Sequence, residues 1–125
     1  MKAPPMYKTL AGMEGVSNDP FMMDVFESVL KQLDEKYVES EQSIAGMTIS
    51  THHTLMYKGV SVQFLAIMEG MNQIIPAGQK GFSYSQNSTL YKTLRTKGRS
   101  HQQAISDIKS SLRKGAKPKS NKTSR

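Results

Sequence analysis

An Asp-Pro pair followed by apolar residues at helical spacing leaves one segment of this chain almost no alternative to an α-helix. Asp19 can accept from the free amides of a first turn, and Pro20 has φ already fixed near the helical value. Behind them Met22, Phe26, Val29, Leu30, Leu33 and Tyr37 fall on one face of a 3.6-residue period, while Glu27, Lys31 and Glu35 line another at i, i+4 spacing. The helix is expected to end between Glu39 and Gly46, where Ser, Glu and Gly accumulate.

The next stretch reads two ways. Residues 47–58 alternate enough for a short β-hairpin, yet Ile49, His53, Met56, Val60, Phe64, Ile67, Met71 and Ile74 also recur at three- and four-residue steps. The helical reading is preferred: one long helix from about Thr51 to Ile75, stopped by Pro76. Gly59 and Gly70 each cost about 1 kcal/mol inside a helix, so Gly59 marks the natural break point. Residues 19–75 then form an amphipathic helical hairpin, too small to stand alone, that needs cover from the C-terminal helices, a second copy or a larger assembly.

Around this hairpin the expected organisation is an irregular arm over 1–18, a linker over 76–88, a basic helical region over 89–115 and a disordered basic tail over 116–125. In the basic region Asn87 or Ser88 is the candidate cap of a short helix carrying Leu90, Tyr91 and Leu94, ended by Gly98. Ser100 and Gln103 then make a capping box for a helix that turns Ala104, Ile105, Ile108 and Leu112 inward. The fold class is therefore mainly α.

Charge divides the chain at the same linker. Residues 1–76 carry five lysines against nine carboxylates, a net of −4, whereas residues 77–125 carry twelve Lys or Arg against one Asp, a net of +11. Such polarity points the C-terminal part at a polyanion, either nucleic acid (DNA or RNA) or an acidic protein surface. The candidate contacts are Arg95, Lys97, Arg99, Lys109, Arg113, Lys114, Lys117 and Lys119, with Ser, Thr, Asn and Gln between them as accessory phosphate donors. The helix pair around Gly98 invites a helix-turn-helix reading. Against it, the first helix is short and Asp107 falls where an apolar anchor belongs, so contact with phosphates rather than bases is expected.

Methionine is abundant on the apolar stripes, and its flexible side chain suits irregular partner surfaces. Met56, Val60, Phe64, Ile67, Met68 and Met71 are the candidate protein interface, which implies a homo-oligomer or membership of a larger assembly.

Little in the sequence suggests chemistry. With no cysteine there is no disulfide framework, thiol nucleophile or thiolate metal site. His52 and His53 are adjacent and so point their rings apart, which argues against a shared metal. Gly78, Lys80 and Gly81 lack the spacing of a phosphate loop, and no Ser, His and Asp stand in a nucleophile context. No enzyme, metal or cofactor is expected. The first twenty residues hold no apolar run of signal-peptide length, and the run from Val60 to Ile75 is polar-interrupted and shorter than the ~20 residues of a membrane span. The expectation is an intracellular accessory protein, in the cytoplasm, nucleoid, nucleus or a virion interior. The competing class is a structural or assembly protein, such as a scaffold or minor particle component.

Overall fold

The computed structural model describes residues 6–114. Six helices follow one another: α1 (Met6–Met13), α2 (Pro20–Lys36), α3 (Glu41–Tyr57), α4 (Phe64–Ile74), α5 (Tyr84–Thr96) and α6 (His101–Lys114). The mainly α expectation holds, and the alternative β-hairpin over 47–58 lies inside α3. Among the described residues the only sheet-like pairing is an isolated parallel bridge between Tyr37 and Phe82.

The most secure expected element is present at its expected start. Asp19 Oδ1 accepts from the amides of Phe21 (3.0 Å) and Met22 (3.3 Å), and Pro20 opens α2. Phe26, Val29, Leu30, Leu33 and Tyr37 are all buried. Its end comes earlier than the composition suggests. Tyr37 is extended and bridges Phe82, and Val38 N donates to Phe82 O (2.8 Å) and Phe82 N to Lys36 O (3.2 Å) before the chain bends at Val38 and Glu39. Ser40 then accepts from Ser43 N (3.2 Å) and opens α3, so the Ser- and Glu-containing stretch read as a loop is an N-cap and a first turn.

The single long helix expected over 51–75 is instead two. Gly59, at φ +83°, closes α3: Gly59 N donates to Met56 O (3.0 Å) and Val60 N to Leu55 O (2.7 Å). This pair of bonds satisfies the last carbonyls of the helix and requires a left-handed residue, which glycine adopts at no steric cost. The chain then restarts at Phe64. The expected irregular arm also differs, for Met6–Met13 is helical. Leu10 and Ala11 are fully buried, and α1 packs on α2 and α3; burial overrides the weak local propensity of a Gly-containing segment. The linker is shorter than expected, since Ser83 rather than Asn87 or Ser88 caps α5 and accepts from Gln86 N (3.1 Å). The proposed tail over 116–125 lies outside the described residues.

α4 occupies the centre, packed against α2, α3, α5 and α6. Phe64, Ile67, Met68, Met71 and Ile74 are buried. Its two ends are completed by charged side chains from elsewhere. Gln63 makes no capping bond, and Glu14 Oε2 instead accepts from Phe64 N (3.1 Å). At the other end Lys36 Nζ donates to the carbonyls of Asn72 (2.9 Å) and Ile75 (2.8 Å). A carboxylate at the N-terminus and an ammonium at the C-terminus both match the helix dipole. Burial lowers the Lys36 pKa below its ordinary value, with Glu35 opposing that shift.

Gly70 is where α6 meets α4. A Cβ there would sit 2.5 Å from Ile105 Cδ1 and 3.1 Å from His101 Cε1, whereas a Cβ at Gly46 in α3 would meet nothing within 4 Å. Gly46→Ala should therefore stabilise the chain by about 0.5–1 kcal/mol through helix propensity. Gly70→Val should destabilise it by about 1–3 kcal/mol through overpacking. Urea denaturation of both variants checks the contrast, and equal effects would refute this account of the α4–α6 contact.

Candidate nucleic-acid interface

The basic part of the chain is not an appendage. Tyr84, Tyr91, Ala104, Ile105 and Ile108 are buried in the same core as α1–α4, so α5 and α6 are held rigidly on it. Polar and aromatic contacts fix α5. Glu39 reaches its first turn, where Oε1 accepts from Tyr84 N (2.8 Å) and Oε2 from Ser85 N (3.0 Å). Tyr84 packs edge-on against Tyr37, with ring centroids 5.0 Å apart. The hydroxyls of both rings are satisfied internally. Thr48 Oγ1 donates to Ile44 O (2.9 Å), so the 2.7 Å contact with Tyr84 Oη has the tyrosine as donor. Tyr37 Oη donates to Met71 O (2.7 Å) and accepts from Asn87 Nδ2 (3.1 Å). Burial pushes both phenols well above the ordinary tyrosine range.

The α5–α6 turn is closed in the same way as the end of α3. Gly98 sits at φ +97°, with Gly98 N donating to Arg95 O and Arg99 N to Leu94 O, each at 3.1 Å. The expected capping box opens α6: Gln103 N donates to Ser100 Oγ (3.1 Å), and Ser100 N to Gln103 Oε1 (2.9 Å).

Beneath this turn lies a cluster that joins α5 to α6. Arg95 Nη1 donates to Tyr91 Oη (2.9 Å), which stands 2.7 Å from His101 Nδ1. The phenol accepts from Arg95 and can give its own proton to His101 Nδ1, an arrangement open to the neutral imidazole protonated on Nε2. Burial lowers the His101 pKa, Arg95 lowers it further, and Glu69 on α4 opposes both.

The predicted cations are distributed unequally. Lys97 and Lys109 are exposed. Arg95 is half-buried and held against the Tyr91 ring, 5.7 Å from its centroid, with Nε buried and without a hydrogen-bond partner. It serves the junction rather than the surface. Arg99 is exposed but grips Asp107 in a bidentate pair, Nε to Oδ2 at 2.8 Å and Nη2 to Oδ1 at 3.0 Å. Those bonds hold the Asp107 carboxyl below its usual range and raise the Arg99 pKa. Arg113 and Lys114 lie in the last turn of α6 by their backbone; their side chains, and Lys117 and Lys119, lie outside the described residues.

A model of the MoxZ family matches residues 10–113, which takes in nearly all of this architecture. The chain belongs to the MoxZ family. No curated protein and no solved structure matches it. In this MoxZ-family chain most of the candidate protein interface is used internally. Phe64, Ile67, Met68 and Met71 are buried in its own core and Val60 packs against that core, which leaves Met56 half-exposed. Met56 apart, the exposed large apolar side chains are ones outside that predicted set, chiefly Tyr57, Phe21 and Val38. Sequence reading also passed over Glu14, Lys36 and Glu39, whose roles are made by contacts distant along the chain. Only His101, immediately after the Ser of a capping box, carried a local sign of its place. Among the described residues no group of three or more His, Asp or Glu could hold a metal ion, and no helix is long and apolar enough to cross a membrane.

The His101 cluster has a pH signature. Since the folded-state pKa lies below the ordinary 6.5, the unfolded chain binds the proton more readily, and stability falls as pH drops through that value. The urea midpoint of the native sequence should decline between about pH 7.5 and 5.5. His101→Gln should flatten that decline. Parallel curves for the two proteins would show that His101 does not titrate with folding.

Proposed function

We propose that this chain is a non-enzymatic accessory module that binds nucleic-acid phosphates through α5, α6 and the basic residues that follow them. The observation that carries this reading is the net charge of the segment that holds the last two helices. Between residues 77 and 114 there are eight Lys or Arg and a single carboxylate, Asp107, giving +7. Asp107 is bonded twice to Arg99, so no free carboxylate from this segment opposes an approaching phosphate. Residues 6–76 carry four lysines and nine carboxylates, giving −5, on the same folded body. A rigid body with one basic region orients itself on a polyanion before contact. Exposed Ser85, Gln86, Thr89, Thr93 and Thr96 on α5 add neutral donors for phosphate oxygens.

One observation favours the assembly reading as a second possibility. Tyr57 is 91% exposed, Phe21 72% and Val38 68%, all on the acidic half of the chain. These side chains suit a protein contact or self-association.

Separating the halves by truncation is no test, because removal of α5 and α6 strips Tyr84, Tyr91 and Ile105 from the core. Point substitutions in the full chain are the better probe. Titration of fluorescent DNA and RNA between about 50 and 200 mM salt should give log affinity falling linearly with log salt. Lys97→Glu combined with Lys109→Glu should weaken binding at least about tenfold and flatten that slope by about 0.9 for each phosphate no longer neutralised. Both lysines are exposed, so the loss of stability should stay within about 1 kcal/mol for each, the cost of placing Glu toward a helix C-terminus. Absence of salt-sensitive binding overturns the nucleic-acid reading. Self-association that disappears in Phe21→Lys or Tyr57→Lys, with nucleic-acid binding absent, establishes the assembly reading in its place.

A further inference from the structure

Resting on the nucleic-acid reading above, we propose that the partner is duplex DNA and that the outward face of α6 enters its major groove. Two sequence features argued against such docking, and the tertiary structure removes both. The first helix of the pair is not short: α5 runs from Tyr84 to Thr96, thirteen residues. Nor does Asp107 occupy an anchor position in the core. It lies at the rim of the turn, gripped by Arg99, while Ala104, Ile105 and Ile108 provide the buried anchor.

At 100° per residue, the side of α6 opposite Ala104, Ile105 and Ile108 presents Gln102, Gln103, Ser106 and Ser110, with Lys109 on one flank and Arg99 at the turn. The first three are exposed. Short amides and hydroxyls beside the cation of Lys109, unpaired among the described residues, suit base edges lined by phosphates, because Gln can pair with adenine and Ser with donors or acceptors alike. Carboxylates, which repel the groove walls, are missing from this face apart from the neutralised Asp107. A helix with its side chains is about 10–12 Å across, and the B-form major groove is about 12 Å wide.

The aromatic residues speak for a duplex over a single strand. Unpaired bases are held by stacking on exposed rings. Neither α5 nor α6 offers an exposed Phe or Tyr: Tyr84 and Tyr91 are both at 0% exposure, and the half-buried His101 ring is turned to Tyr91. Duplex RNA fits no better, since its major groove is too narrow to admit a helix. B-form DNA is the partner whose shape matches what this face offers.

The test uses the full chain with four fluorescent probes, compared at each point of one salt series: a short mixed-sequence DNA duplex, each of its separated strands, and the matching RNA duplex. The DNA duplex should bind at least about tenfold tighter than any of the other three. Gln102→Ala with Ser106→Ala should then weaken duplex binding about three- to tenfold while leaving the salt slope unchanged, since base-edge contacts release no counterions. Equal binding of strands or of RNA overturns groove docking and leaves phosphate tethering standing. An unchanged duplex affinity in the double variant likewise overturns the placement of α6. Failure of all four probes to bind at the lowest salt overturns both readings.

Discussion

The fold depends on completing the ends of a helix that cannot complete its own. α4 is short, apolar and packed against four other helices, and its own N-cap residue, Gln63, makes no side-chain capping bond. Glu14 and Lys36 take over that task from the segment after α1 and from the end of α2. Each supplies the charge that the local helix dipole favours. The consequence extends beyond α4. Glu14 can reach Phe64 only if α1 is docked, and Lys36 can reach Ile75 only if α2 ends where it does.

A second set of long-range polar contacts ties the basic half to this centre. Glu39 caps α5 from a position forty-five residues earlier in the chain, beside the bridge that sets Tyr37 against Phe82. Tyr37 and Tyr84 carry hydroxyls into the core and satisfy them on Met71 O and Thr48. A buried hydroxyl is costly without a partner, so these bonds specify one arrangement of α5 over α3 and α4. The outcome is that Lys97 and Lys109 project from a fixed surface rather than from a mobile tail.

That rigidity bears on the proposed function. Electrostatic attraction to phosphates needs only charge, and a flexible basic segment supplies it. Two helices locked at a capped turn add shape, and it is this shape, with its lack of exposed stacking rings, on which the proposed choice of a duplex rests. The Arg95–Tyr91–His101 cluster makes the same point from inside. One predicted phosphate ligand is withdrawn from the surface to hold the two helices together.

Much of this was legible in the sequence because it rests on local rules. The Asp19-Pro20 start, the inward face of α2, the Ser100–Gln103 capping box and the left-handed Gly98 are each decided within a few residues, and each is found where spacing and capping chemistry put it. The division of charge at the start of the basic half is likewise a property of composition. What local rules misjudged was decided by contacts across long loops. α1 is helical because Leu10 and Ala11 find a core; α2 stops early because Phe82 pairs with Tyr37; and Met68 and Met71 are private core residues because α4 is packed among four other helices. Periodicity states that a face will be buried but not against what. Charge states that a cation is present but not whether a tyrosine or a carboxylate already holds it. The sequence by itself determined α2 and α6 with their caps, and the polarity of the chain; only the tertiary structure decided which apolar and basic side chains remain on the surface, because that depends on which neighbours the packing brings to each of them.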